Sequence, residues 1–230
     1  MKNQLIFLRY ELKYLINEEQ YTAIIGEIKS RTHPDEYGES SILSLYYDTD
    51  DSLLIRRSIE HPSYKEKLRL RSYGVPDEAK DVFVELKKKY DGVVYKRRIK
   101  LPAADAVDYL SGERQLTHTQ ISDEIDYFKK FYKGLRPAML LCYDRVAYYG
   151  DGGLRITFDS NICWRDDDLD LQKGGYGEAL LDTGERIMEI KTGGAIPMWL
   201  TKLLSEYRIY KTTFSKYGSA YTQAKKAKGR

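Results

Sequence analysis

Lys65-Glu66-Lys67-Leu68-Arg69-Leu70-Arg71 is the stretch on which the fold turns. At a period of two, Lys65, Lys67, Arg69 and Arg71 share one side of a pleat, and Leu68 and Leu70 share the other. The segment therefore predicts a half-buried strand with a cationic polar face. The arrangement recurs along the chain. Val82, Val84 and Leu86 oppose Glu85, Lys87 and Lys89, and Leu154 to Asp159 and Ile187 to Lys191 alternate in the same way. Arg9, Glu11 and Lys13 complete the set. Like charges directly across from one another on adjacent strands repel, so several such faces side by side require an anion between them.

Working outward, alternation marks eight strands: Arg9–Tyr14, Ser41–Tyr47, Tyr64–Tyr73, Asp81–Lys89, Val93–Leu101, Leu140–Tyr149, Leu154–Asp159 and Arg186–Lys191. Tyr90-Asp91-Gly92 and Gly150-Asp151-Gly152-Gly153 are short enough to join antiparallel neighbours. Helical patterns fill the longer gaps. Asn17 with Gln20 resembles a capping box before the stripe Tyr21, Ile24, Ile25 and Ile28. Further helices are expected from Ala103 to Leu110, from Thr119 to Tyr132 and from Pro197 to Tyr207. The expected fold is α+β, an antiparallel eight-stranded β-barrel with helices packed on the outside. No repeat or linker divides residues 1–230, which predicts one domain with its core at about residues 5–220.

Composition narrows the function. Of 230 residues, 42% are hydrophobic and 32% charged, which excludes a disordered or collagen-like chain. The longest apolar run, Ala138–Tyr143, is far short of the roughly 20 residues that cross a bilayer. Leu5–Leu8 is too short for a signal-peptide core, so a cytoplasmic location is expected. Cys142 and Cys163 have neither a disulfide framework nor a zinc spacing and are expected as buried free thiols. His33, His61 and His118 are expected at the surface. A net charge of +3 gives no global field for nucleic acid, and no specific nucleic-acid partner is expected. A phosphate loop, a kinase signature and a nucleophile-base grouping are all missing from the sequence.

Closed into a barrel, the polar faces would line a cationic tunnel containing Lys13, Lys67, Arg69, Arg71, Lys87, Lys89, Arg155 and Lys191, with Glu11, Glu85 and Glu189 among them. Arginine forks suit phosphate oxygens, and lysine serves as a point charge. The carboxylates act either as ion-pair partners spacing the cations or as ligands for Mg2+ or Mn2+.

Arg9-Tyr10-Glu11-Leu12-Lys13-Tyr14, Ser44-Leu45-Tyr46-Tyr47-Asp48-Thr49, Lys67 to Tyr73, Phe83 to Lys87, Tyr143 to Tyr148, Leu154 to Asp159 and Met188 to Lys191 resemble, in order, the VTC domain. That domain is the polyphosphate polymerase domain of the vacuolar transporter chaperone complex, one of the triphosphate tunnel metalloenzymes. The resemblance implies that Arg69, Arg71, Lys87, Arg145 and Arg155 contact triphosphate or the growing chain. It implies Glu189 as the carrier of the divalent metal (Mn2+ or Mg2+), with Glu85 and Glu11 the next candidates. Lys13, Lys67, Lys89, Lys96, Lys191 and Lys216 would complete the basic lining, Lys89 by its strand phase and Lys96 and Lys216 by the resemblance. Arg145 also has a simpler reading, as an ion-pair partner of Asp144 at a strand end. The superfamily's opening Glu-x-Glu-x-Lys reads Arg9-x-Glu11-x-Lys13 here, which argues against a two-metal triphosphatase site. The regulatory N-terminal domain and membrane segments of eukaryotic relatives have no counterpart in the sequence, so delivery of product across a membrane and regulation by inositol pyrophosphates are not carried over with the resemblance. The function implied is a metal-dependent polyphosphate polymerase using ATP. An inorganic triphosphatase and a non-catalytic polyphosphate-binding module are the alternatives, and no protein partner is identified.

Overall fold

The computed structural model describes residues 10–60, 62–91 and 93–229. Arg9, Leu5–Leu8, His61 and Gly92, on which parts of the sequence reading fall, lie outside the described residues. The chain packs as two compact units interleaved in sequence. The first takes the described part of Met1–Ser40, with Tyr143–Ile162 and Leu181–Phe214; the second takes Ser41–Cys142, Cys163–Leu180 and the described part of Ser215–Arg230.

The first unit holds β1 (Tyr10–Ile16), α1 (Glu18–Arg31), the start of β2 (His33–Asp48), the end of β6 (Arg136–Tyr149), the start of β7 (Arg155–Arg165), β9 (Arg186–Thr192), α5 (Met198–Glu206) and β10 (Lys211–Thr212). Strand β9 lies antiparallel between β1 and β7, so Tyr14 faces Met188 and Met188 faces Phe158. These residues, with Ile16, Ile156 and Ile190, form the sheet side of a buried core. Ile24 and Ile28 of α1 and Leu200, Leu203 and Leu204 of α5 cover it. The capping box is present: Asn17 Oδ1 accepts from the Gln20 backbone N–H at 2.8 Å, and Gln20 Oε1 accepts from the Asn17 N–H at 3.2 Å. Of the predicted stripe, Ile24 and Ile28 are buried, while Tyr21 and Ile25 pack at its margin.

The second unit holds the rest of β2, α2 (Leu53–Ile59), β3 (Tyr64–Tyr73), β4 (Asp81–Tyr90), β5 (Val93–Pro102), α3 (Ala103–Ser111), α4 (Gln120–Phe131), β8 (Glu178–Ala179) and α6 (Lys216–Lys228). Strands β2, β3, β4 and β5 pair antiparallel in chain order. Leu68, Leu70, Val82, Val84 and Leu86 are fully buried against Tyr109, Ile125 and Phe128 of α3 and α4. Each such side chain contributes about 1.5–3 kcal/mol, which fixes the polar phase on the opposite face. His33 opens β2 and His118 precedes α4, both exposed as expected.

Three expectations are corrected. Among the described residues the strands number ten, and the hydrogen-bonded order is β10-β1-β9-β7-β6-β2-β3-β4-β5 with β8 on β7. Among the described residues no pairing joins β10 to β5, so a large antiparallel sheet stands where a closed eight-stranded barrel was expected. Cys142 and Cys163 are not free thiols but a disulfide, because β6 and β7 bring their Cα atoms to 5.2 Å. Helices α2 and α6 were not anticipated. No helix among the described residues is long and apolar enough to cross a membrane.

Candidate functional site

In the second unit, the strand registers line up the polar phase in rows. Tyr46, Arg69, Glu85 and Arg98 form one row across β2, β3, β4 and β5, and Lys67, Lys87 and Lys96 form the next across β3, β4 and β5. Glu85 is fully buried and is the hub. Arg69 donates Nε and Nη2 to its Oε2 at 2.8 and 2.7 Å, and Arg98 donates Nε and Nη2 to its Oε1 at 2.8 and 2.6 Å. Lys96 Nζ lies 2.7 Å from Oε1, and Arg71 Nε lies 3.9 Å from Oε2. One carboxylate thus serves four cations. Burial alone would raise the Glu85 pKa, but Arg69, Arg71 and Lys96 reverse this and hold it far below the usual carboxylate range. The same burial lowers the Lys96 ammonium to about 8, with Glu85 opposing the shift and Arg98 and Arg69 adding to it.

Tyr46 accepts a hydrogen bond from Arg69 Nη1 at 3.0 Å and stacks on Tyr217 with centroids 4.4 Å apart. Burial would raise its phenol, yet Arg69, Lys67 and Arg71 together lower it to about 7. Arg71 donates to Ser44 Oγ at 3.2 Å. Lys67 reaches Ser215 Oγ at 3.1 Å, the residue that caps α6, so the helix start carrying Lys216 is tied to β3. Lys89 is exposed near the hairpin end of β4, two residues beyond the lysine row, and is not part of the Glu85 cluster.

In the first unit, Lys13, Glu189 and Thr157 form one row across β1, β9 and β7, and Glu11, Lys191 and Arg155 form the next. Arg145 binds Asp159 through two parallel bonds, Nε to Oδ1 at 2.6 Å and Nη2 to Oδ2 at 2.7 Å, and its Nη2 lies 3.9 Å from Glu189. The pairing with Asp144 is thereby corrected: Asp144 accepts from Asn161 instead, at 2.8 Å. Burial would lower the Arg145 pKa, but Tyr143, Asp159 and Glu189 raise it, so its charge is permanent. Lys191 Nζ lies 3.6 Å from Glu189 and 3.8 Å from Glu11, and Lys13 Nζ lies 3.5 Å from Glu11 and donates to the Phe214 carbonyl at 2.9 Å. Arg155 Nη2 lies 3.6 Å from Asp35, and its guanidinium sits 5.1 Å from the Tyr149 ring centroid.

The three carboxylates differ as metal ligands. Glu85 does not fit, since both oxygens already accept from cations at hydrogen-bond distance. Glu11 sits between two lysines. Glu189 fits best: its contacts are ion pairs at 3.6 and 3.9 Å, and beside it the Thr157 hydroxyl is buried with no hydrogen-bond partner. No group of three or more His, Cys, Asp or Glu residues able to hold an ion occurs among the described residues, so phosphate oxygens or water would have to complete any coordination.

Sequence reasoning missed Arg98, Tyr46, Asp159 and Thr157. Arg98 shares the phase of Lys96, and Thr157 lies between Arg155 and Asp159, so alternation alone marked their faces. Their partners come from other strands.

The VTC domain family profile matches residues 8–225. The chain belongs to the VTC domain family. Subunit 4 of the vacuolar transporter chaperone complex of Schizosaccharomyces pombe is 26% identical over 149 residues, which is 54% of this chain. The alignment spans 20% of that relative's length. Among solved structures, a Hippeastrum protein assigned as an adenylyl cyclase, HpAC1, for which a dominant triphosphatase activity is described, aligns with TM-score 0.59 at 15% identity over 94% of this chain and 96% of its own. A Bacillus halodurans protein assigned as an adenylate cyclase aligns with TM-score 0.55 at 16% identity over 91% and 94%. At these identities the likeness concerns the fold.

Proposed function

We propose that the protein is a metal-dependent polyphosphate polymerase that transfers the terminal phosphate of ATP to a polyphosphate chain. The observation that carries this reading is the excess of cations over carboxylates on the polar strand faces, with the four cations around Glu85 as its clearest case. Such a face is suited to a polyanion that distributes charge along its length.

In the reaction, an oxygen of the chain's terminal phosphate attacks the γ-phosphorus of ATP, the bond from that phosphorus to the β–γ bridging oxygen breaks, and ADP leaves with the electron pair. Phosphoryl transfer needs positioning and charge neutralisation rather than a protein nucleophile. Arg69, Arg71, Lys67, Lys87 and Lys96 on one unit, and Arg145, Arg155, Lys13 and Lys191 on the other, are assigned to phosphate oxygens. Lys216 is assigned the same role at the start of α6. Glu85 holds the guanidinium planes of Arg69 and Arg98 in place, and Asp159 does so for Arg145. A divalent ion, Mn2+ or Mg2+, held at Glu189 would supply further neutralisation of the transferring group.

The test is incubation of the purified protein with ATP and Mn2+, with ADP, free phosphate and polyphosphate measured together. Polymer formed in step with ADP is the expected result. Phosphate released in step with ADP would make the protein a triphosphatase, and tight polyphosphate binding without ADP would make it a binding module.

A further inference from the structure

Thr157 sits in the middle of β7, directly opposite Glu189 on β9, which in turn faces Lys13 on β1. The residue is 1% exposed, and its Oγ1 has no hydrogen-bond partner. A hydroxyl left in this state is destabilising, and a valine would fill the same space without the polar cost. One row away, the Nε of Arg155 is buried and likewise unpartnered, although its Nη2 lies 3.6 Å from Asp35. Glu189, opposite Thr157, has its nearest cations at 3.6 and 3.9 Å, beyond hydrogen-bond distance. A carboxylate, a hydroxyl oxygen and an N–H donor thus stand on neighbouring positions of one face of the β7–β9 pair with bonding capacity unused.

The three groups differ in sign. The Glu189 carboxylate and the Thr157 oxygen are hard donors suited to a small divalent cation, whereas Arg155 N–H suits an anion. Resting on the metal-dependent reading above, we propose that Thr157 Oγ1 is the second protein donor, with Glu189, to the divalent ion of a metal–phosphate complex. Arg155 Nε donates to a phosphate oxygen of the same complex. Two protein oxygens suffice because Mg2+ and Mn2+ keep several waters and take further oxygens from phosphates.

The test is Mn2+ binding at low salt, followed by electron paramagnetic resonance of the full chain, alone and with tripolyphosphate. Thr157→Val is expected to weaken Mn2+ binding at least about tenfold, the loss that removal of a metal ligand's supporting partner already brings. Thr157→Ser is expected to restore it, and Glu189→Gln to abolish it. Thermal melting of each variant separates loss of a ligand from loss of fold, with the serine variant as the folded control. Unchanged Mn2+ affinity in Thr157→Val alongside loss in Glu189→Gln overturns this inference and leaves the polymerase reading standing. Weaker metal-free tripolyphosphate binding with unchanged Mn2+ affinity overturns it too, by making Thr157 a phosphate donor. Threonine-dependent Mn2+ binding in a protein that makes no polymer supports the inference and sinks the polymerase reading alone. A wild-type protein that binds no Mn2+ in either condition overturns both.

Discussion

Arg69 directs two N–H groups, Nε and Nη2, at one oxygen of Glu85, which leaves the other oxygen to Arg98 and Lys96. Removing Glu85 therefore does more than break one ion pair. Glu85→Gln should destabilise the protein by about 3–5 kcal/mol, the usual cost of leaving buried charges uncompensated. Added tripolyphosphate should restore part of that loss, because it supplies the missing counter-charge. Denaturant melts with and without the anion check both. In the wild type, the lowered Glu85 pKa contributes stability that is complete above its ordinary value of 4.5 and is lost as pH falls further below it.

Tyr46 should ionise near neutrality. Its phenol is lowered to about 7 against an ordinary 10, with Arg69, Lys67 and Arg71 outweighing burial. Between those values the unfolded chain holds a proton that the folded chain has released, so stability from this group is complete above pH 10 and is lost as pH falls through 7. Ultraviolet titration of the wild type against Tyr46→Phe should show one tyrosinate appearing near pH 7. A difference only in the ordinary tyrosine range would refute the cationic environment assigned to it. Tripolyphosphate binding should also weaken more steeply with rising pH in the wild type than in Tyr46→Phe, since tyrosinate competes with the ligand for Arg69.

Arg69→Ala and Arg155→Ala should each weaken tripolyphosphate binding by about 1.5–3 kcal/mol if each makes one charge-assisted contact. Calorimetric titration at low salt reads this, and the binding should fall further as salt rises. Arg69→Ala should also lower thermal stability, because it strips Glu85 of a partner. The buried Nε of Arg155 has no protein partner to lose, so Arg155→Ala should spare stability by comparison.

Glu189→Gln should reduce turnover far more than polyphosphate binding, because metal charge contributes most as charge is redistributed in the transition state. Intact turnover with an undiminished metal requirement would place the ion elsewhere.

The Cys142–Cys163 disulfide, whose cysteines are 21 residues apart in sequence, should contribute about 3 kcal/mol by the chain-entropy estimate. Thiol titration of the native protein should find no free cysteine among the two, and Cys142→Ala or a strong reductant should lower the melting temperature. Two reactive thiols in the unreduced protein would contradict the bond.

Local pattern was enough to define the longer strands, four of the helices and the polar phase. Leu68 and Leu70 alternate with Lys67, Arg69 and Arg71 because side-chain direction repeats every two residues, and burial of the leucines then sends the cations to the other face. Asn17 and Gln20 announced α1 in the same local way. Helix α6 escaped because its buried face is built largely from Gly218, Ala220 and Ala224, which leave a weak apolar stripe, and β8 and β10 are only two residues long, too short for any period. Pairing belonged to the tertiary structure. Arg145 binds Asp159, 14 residues away, rather than its neighbour Asp144, and Glu85 gathers cations from β3 and β5. Thr157 became a candidate ligand only when β9 placed Glu189 opposite it. A sequence states which residues share a face of their own strand; which charges meet depends on strand order and register, set by contacts distant along the chain.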